Sequence, residues 1–260
     1  MKSLALITGA SSGIGKEFAR YHAAKGGDVI ITARRKGALD TLKVELETKF
    51  GITAHVIALD LGAAEGAKSL LAEIAARNLS VDILINNAGF GGHGIHIDRD
   101  WADESAMIDL NIKSLAELSH DLGGQMAAKG AGKILNVAST AAMMPGPLQA
   151  VYFASKAFVM SYSQALDEEL RDKGVTVTCL NPGLVRTEFA ATANLENTGL
   201  VNQKGDSAEN VAKLGYQGMM SGKLIVINER RLSFLLNWIT PLLPRRNVLR
   251  MVRGMQTKSV

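Results

Sequence analysis

Short, nearly pure apolar runs alternate along the chain with longer stretches in which apolar residues recur every three or four positions. Leu4-Ala-Leu-Ile-Thr8 is the first such run, and Ile14 to Lys25 is the first stretch of helical period. Further runs begin near Val29, Ala54, Ile83, Lys133, Val175 and Leu224, each followed or preceded by a helical stretch. A run with no polar alternation is a strand buried on both faces, as strands of a parallel sheet are. The alternation therefore predicts an α/β fold with a doubly wound parallel sheet of about seven strands, flanked by helices on both faces. A fold of this kind takes up 260 residues as one unit, so residues 1–260 are expected to form a single domain.

The first strand runs straight into Thr8-Gly-Ala-Ser-Ser-Gly-Ile-Gly15, and the first helix follows at once. That placement gives the turn a chemical meaning. Gly9 allows a tight turn, Gly13 lets backbone approach a pyrophosphate, and Gly15 lets the helix pack closely on the strand. The helix N-terminus presents free N–H groups and a partial positive charge to phosphate. The spacing is Gly-x-x-x-Gly-x-Gly, and Gly9, Ser11, Ser12, Gly13, Ile14 and Gly15 are the candidate contacts of a Rossmann-like dinucleotide site. About twenty residues on, where such folds meet the adenosine ribose, stands Ala33-Arg34-Arg35. An acid there would hold a free 2′-hydroxyl and repel a 2′-phosphate, whereas arginine clamps the phosphate through paired charge-assisted bonds. NADP(H) is thus preferred over NAD(H). Arg34 and Arg35 opening a solvated surface helix is the competing reading, and it leaves NAD(H) open.

The second chemical signal is Tyr152 and Lys156 in Tyr-Phe-Ala-Ser-Lys, one helical turn apart and downstream of Ser139 at the end of an apolar strand. Reduction of a ketone by hydride leaves an alkoxide, so a proton must arrive with the hydride. A phenol with an ordinary pKa near 10 donates readily and accepts reluctantly. A cation about 4 Å away at an effective dielectric near 20 is worth about 4 kcal/mol, roughly three pKa units, and moves the phenol toward about 7.

Taken with Asp60 after the third strand, Asn86-Asn-Ala-Gly89, Asn111 and Asn181-Pro-Gly183, these motifs resemble the classical short-chain dehydrogenase/reductase family from Leu4 to about Thr187. The resemblance implies that Ser139 polarises the carbonyl, Tyr152 exchanges the proton, and Lys156 lowers the phenol pKa while bonding the nicotinamide ribose. It implies that Asn111 anchors a water that relays protons from Lys156. It also implies that Asp60 and Leu61 meet adenine, that Asn87, Ala88 and Gly89 line the adenosine side, and that Pro182, Gly183, Val185 and Thr187 border the nicotinamide. Assembly as a homodimer or homotetramer through helices near Trp101 to Lys129 and Val151 to Lys173 is implied in the same way.

Composition narrows the rest. The chain is 47% apolar, and its one cysteine, Cys179, excludes an internal disulfide framework and reads as core. His93 and His96 have no partner at metal spacing, and no metal is expected. No apolar run reaches the roughly 18 residues of a membrane span, and with the first strand at Leu4 no leader is expected, so the placement is cytoplasmic. Net charge is +4, but from Arg230 onward there are seven Lys or Arg and no acid, against 22 basic and 25 acidic residues before it. Residues 230–260 thus read as a basic amphipathic tail, expected to pack on protein at an interface or the substrate mouth rather than on an anionic membrane, where peripheral contact is not favoured. Nothing resembles a nucleic-acid module.

Residues 187–222 are expected to form a substrate lid, and Phe90-Gly-Gly-His-Gly-Ile95 and Met143-Met-Pro-Gly-Pro147 to border the pocket. Phe90, Met143, Met144 and Phe189 favour an apolar ketone or acyl group. An NADP(H)-dependent carbonyl reductase, reversible as an alcohol dehydrogenase, is the leading function, against a non-catalytic NADP(H) sensor or an NAD(H)-dependent enzyme. The complete Ser139, Tyr152 and Lys156 set opposes the sensor, because a sensor needs no proton donor.

Overall fold

The computed structural model describes residues 2–199 and 205–258. In chain order the first half contains β1 (Leu4–Thr8), α1 (Gly13–Ala24), β2 (Asp28–Ala33), α2 (Lys36–Phe50), β3 (Ala54–Ala58), α3 (Gly66–Ala76), β4 (Ile83–Asn86), α4 (Trp101–Ile108) and α5 (Leu115–Lys129). A single π-helical turn, Asp109–Ser114, joins the last two helices. Then follow β5 (Gly132–Val137), α6 (Ala150–Arg171), β6 (Val175–Asn181), β7 (Val185–Arg186), α7 (Phe189–Thr192), β8 (Asp206–Ser207), α8 (Ala208–Met220), β9 (Ile225–Ile227), α9 (Arg230–Phe234) and α10 (Arg245–Gln256).

Seven strands form one parallel sheet in the order β3-β2-β1-β4-β5-β6-β9, which is the Rossmann-like doubly wound arrangement. Strand period two decides which core each side chain enters. Ala5 and Ile7 of β1 join Phe18, Leu39, Leu42, Val211 and Met219 on one face. Leu4 and Leu6 join Leu70, Ile74, Leu118, Leu122 and Met126 on the other. Burying each large aliphatic side chain contributes about 1.5–3 kcal/mol, which accounts for Leu4, Leu6 and Ile7 of β1 being sealed from solvent. The winding reverses between β1 and β4, so a crevice opens at their carboxyl ends, where ligands bind in open α/β sheets.

The stretch 187–222 divides between two surroundings. α7 lies beside the crevice, while α8 buries Val211, Ala212, Tyr216 and Met219 against α1 in the core. Residues 200–204 of that stretch and 259–260 of the tail lie outside the described residues. β7 and β8 form a separate two-stranded parallel pair, two residues each and too short for any periodic signal. Among the described residues no helix is long and apolar enough to cross a membrane.

Candidate active site

The crevice is stitched at its switch point by Thr8. Its hydroxyl accepts from the backbone N–H groups of Asn87 and Ala88, each at 2.9 Å, and Asn87 Nδ2 donates back to the Thr8 carbonyl at 2.9 Å. These bonds hold the glycine turn against the Asn86–Gly89 turn. At Gly15 a Cβ would lie 2.4 Å from the Gly9 carbonyl oxygen, so only glycine lets α1 start this close to β1. Gly9 and Gly13 take positive φ of 67° and 54°. Ser12 makes no side-chain cap on α1, and the first-turn N–H groups remain available toward the cavity. A glycine cradle below an uncapped helix start fits a pyrophosphate.

From this turn a cavity of about 600 Å³ runs to the far side of α6. Most of the expected contacts line it. Gly9, Ser11, Ser12, Gly13 and Ile14 form one end with Arg34, Arg35, Asp60 and Leu61; Asn87, Ala88 and Gly89 form the middle; Pro182, Gly183, Val185 and Thr187 border the section nearest Ser139, Tyr152 and Lys156. Gly15 and Asn111 do not line it. Gly15 acts from beneath the turn, and Asn111 sits in the π-helical turn behind the wall. Asn111 Oδ1 accepts from the Phe90 N–H at 3.1 Å, and its Nδ2 donates to the Phe90 carbonyl at 2.9 Å and to Ser155 Oγ at 3.1 Å. The side chain therefore clamps the Gly89–Phe90 turn. π-Helical turns of this kind are frequent at functional sites.

Arg34 and Arg35 follow β2, and Arg35 Nε donates to Ser11 Oγ at 3.3 Å. Arg34 Nη1 is 4.0 Å from Asp60, and Arg35 makes an exposed ion pair with Glu188 at 3.0 Å. Exposed pairs of this kind contribute at most about 1 kcal/mol, so an incoming phosphate competes easily for both guanidinium groups.

Ser139 follows β5 and caps the 3-10 turn Thr140–Met143, its Oγ accepting from the Ala141 N–H at 3.1 Å. Tyr152 and Lys156 project from the first turns of α6 and are 8% and 5% exposed. Lys156 Nζ donates to the Val137 carbonyl at 2.9 Å and lies 5.9 Å from the Tyr152 ring centre. Burial governs both groups. It pushes the Tyr152 phenol up to about 12, with the Ser139 hydroxyl working the other way. It brings the Lys156 ammonium down to about 8. The phenol near 7 expected from a lysine directly beneath it is thus not found, because burial raises the phenol while Lys156 Nζ is turned to the Val137 carbonyl. The buried Cys179 thiol, pushed up to about 12 by burial, is unreactive core.

The remainder of the cavity is apolar, and much of it comes from a region with no recognised motif. Tyr152, Phe153, Met107 and Ala141 cluster with Val248 and Val252 of α10, with Phe90, Met144, Phe189 and Met255 packed around them. α10 is latched across the opening by polar contacts. Gln149 Nε2 donates to Gln256 Oε1 at 2.7 Å, and His93 Nε2 meets the Gln256 carbonyl at 2.8 Å. His93 is thereby a loop residue that anchors α10, and His96 pairs with buried Glu104 at 3.3 Å. Among the described residues no group of three His, Cys, Asp or Glu could hold a metal. Gln149 is a cavity residue with no signal in the sequence, whereas Leu232, Val252, Met255 and Gln256 belong to the tail expected at an interface or the substrate mouth, and they line the cavity. The apolar spacing of Val248, Leu249, Met251 and Val252 was the available signal that α10 buries a face, with an interface and the substrate mouth as its two expected surroundings.

A phosphate cradle at a sheet switch point, opening into a cavity walled by Ser139, Tyr152 and Lys156, defines a nucleotide-binding oxidoreductase. The chain belongs to the short-chain dehydrogenase family: the family model described as short chain dehydrogenase matches residues 3–198. Sulfoacetaldehyde reductase 2 of Chromohalobacter salexigens is 37% identical over 210 residues, covering 80% of this chain and 79% of that protein. A very-long-chain 3-oxoacyl-CoA reductase of Pyrenophora tritici-repentis is 34% identical over 84% of this chain, which spans 65% of that protein. Among solved structures, a short-chain dehydrogenase from Sphingobium yanoikuyae in complex with NADPH superposes with a TM-score of 0.84 at 27% identity, covering 99% of this chain and 98% of that one. The protein is accordingly an oxidoreductase of CH–OH and C=O groups.

Proposed function

We propose that this protein is an NADP(H)-dependent reductase of a carbonyl group on an apolar small molecule, reversible as an alcohol dehydrogenase, working as a homodimer or homotetramer in the cytoplasm. The observation that carries the reading is the meeting of Ser139, Tyr152 and Lys156 in one wall of a cavity whose far half is walled by Phe90, Met144, Phe153, Phe189, Val252 and Met255. The residues fit a dinucleotide: glycine turn and α1 start for pyrophosphate, Arg34 and Arg35 for a 2′-phosphate, Lys156 for ribose hydroxyls. The bound nicotinamide supplies the hydride to the carbonyl carbon. Ser139 donates a hydrogen bond to the carbonyl oxygen and fixes its position. Tyr152, fully protonated at neutral pH, gives that oxygen its proton, and Lys156 holds positive charge near the phenolate left behind. The apolar wall excludes water and so strengthens these interactions.

The sulfonate of the Chromohalobacter enzyme's named substrate has no counterpart here. Among the described lining residues the only cations are Arg34, Arg35 and Lys156, all assigned to the dinucleotide. The long acyl chain named for the Pyrenophora relative agrees better with the apolar half.

Two measurements test the reading. Loss of NADPH absorbance with a panel of apolar ketones and aldehydes should reveal turnover, and Tyr152→Phe should lower kcat at least about a thousandfold while NADPH still binds. Retained activity in that variant removes Tyr152 from the proton transfer. Fluorescence titration should show NADPH binding about tenfold or more tightly than NADH, the difference falling in Arg34→Ala/Arg35→Ala; tighter NADH binding defeats the assignment to the two arginines.

A further inference from the structure

Between Leu232 and Pro244 the chain has no charged residue, and it runs through α9, the π-helical turn Leu235–Ile239 and the 3-10 turn Thr240–Leu242. One side of this segment packs inward, with Leu236 and Thr240 each 3% exposed. The opposite side is apolar where solvent would select polar residues. Phe234, Trp238 and Leu242 are 61%, 68% and 81% exposed, and Leu235, Ile239 and Leu243 are 42%, 40% and 40% exposed. Six large apolar side chains are thus open to solvent within ten consecutive residues. Isolated surface hydrophobes need no explanation, but a contiguous face of this size marks an interaction surface.

The segment after it decides the partner. α10 has already spent its apolar face on the active site, through Val248, Val252 and Gln256. Its outer face carries Arg245, Arg246, Arg250 and Arg253, all exposed and without an ion-pair partner among the described residues. No acid occurs from Arg230 onward. A second copy of the chain docked about a two-fold axis on this face would bring two unopposed arginine sets together. A bilayer with anionic headgroups instead offers hydrocarbon to the apolar rows and counter-charge to the arginines, with Trp238 at the boundary that tryptophan favours.

We propose that the Phe234–Leu243 face and the α10 arginines form a peripheral membrane-binding surface for anionic lipid. Leu232, Val252 and Met255 of the same region wall the substrate cavity. Docking therefore sets that cavity beside the lipid phase, a consequence that rests on the apolar-substrate reading, whereas the docking itself does not.

The test uses the full chain as Trp101→Phe, which leaves Trp238 as the sole tryptophan of two. It should float with phosphatidylglycerol/phosphatidylcholine vesicles, shift Trp238 emission to the blue, and be released by salt. Trp238→Ser/Leu242→Ser should weaken partitioning at least about tenfold, and Arg245→Glu/Arg246→Glu should weaken it roughly fivefold or more per charge on anionic vesicles only. Circular dichroism melts, independent of turnover, establish that the variants are folded. Absence of flotation, or equal flotation of all variants, overturns the proposal. So does a light-scattering mass that drops in Trp238→Ser/Leu242→Ser without any vesicle binding by the parent, which would make the face a subunit interface.

Discussion

Burial sets Tyr152 and Lys156 both against their charged forms, the phenol at about 12 and the ammonium at about 8. The sign of the consequence is opposite for the two directions of reaction. On the proposed mechanism ketone reduction needs the protonated phenol, which is present throughout the range below about 12, so its rate should stay level from about pH 6 to about pH 8. Alcohol oxidation needs the phenolate, whose fraction rises about tenfold per pH unit in that window, so oxidation should climb steadily. Steady-state rates with matched ketone and alcohol decide this; an oxidation profile that bends to a plateau above about pH 7 would mean that bound dinucleotide brings the phenol down to neutrality. Legibility at this scale was high for the chemistry and low for its electrostatics. The four-residue spacing places Tyr152 and Lys156 on one helix face, but no spacing reveals that Lys156 turns to the Val137 carbonyl.

The elements of the sheet are held in register near the site by buried polar side chains as well as apolar ones. Asn86 of β4 donates from Nδ2 to Asn136 Oδ1 at 2.9 Å, and Asn136 of β5 donates to Ser163 Oγ of α6 at 3.0 Å. This chain of bonds ties the two central strands to the helix that carries Tyr152 and Lys156. Replacing Asn136 with leucine removes one bond each from Asn86, which keeps Ser119 Oγ at 3.0 Å, and from Ser163, which keeps the Val159 carbonyl at 2.6 Å, so the loss is about 0.5–1.5 kcal/mol per bond. Urea unfolding of Asn136→Leu should show that loss, and an unchanged midpoint would mean that the chain of bonds contributes nothing net. Seven strands were readable because each is a short apolar-rich run, even where His55 interrupts β3, Lys133 and Asn136 interrupt β5 and Thr176 and Thr178 interrupt β6, with boundaries shifted by a residue at β2, β5 and β9. The β7–β8 pair was not readable, since two residues carry no period. Nor was the π-helical turn at Asn111, because one inserted residue barely disturbs a helical pattern.

At the scale of the whole molecule, α1 and α8 meet far apart in sequence through His22. Its Nδ1 is 2.8 Å from the Tyr216 hydroxyl and its Nε2 is 3.1 Å from the Ser3 carbonyl. Burial lowers His22 below its ordinary 6.5, with the backbone bonds opposing. The unfolded chain therefore binds a proton that the folded chain refuses. The stability this group contributes is complete above about pH 6.5 and lost as pH falls below it, by at most about 1.4 kcal/mol per pH unit. His55, lowered for the same reason, acts in the same direction. Melting temperature followed from neutral to mildly acidic pH should fall more steeply for the parent than for His22→Gln; parallel slopes would exclude His22 as the sensor. Sequence showed that helices cover both sheet faces, yet not that α8 pairs with α1, which depends on long-range packing around Tyr216 and Met219.

Gln256, sealed between α6 and the His93 loop, joins the cavity from a stretch well past residue 198, where the family match stops. Part of the outer cavity wall is thus encoded apart from the glycine turn, although Phe90, Met144, Phe153 and Phe189 of the same wall lie within the matched residues. On the proposed reading, residues 232–256 can vary that part of the substrate wall while the glycine turn and Tyr152 stay untouched. Exchanging that stretch between paralogues would be the economical starting library for redirecting the catalyst.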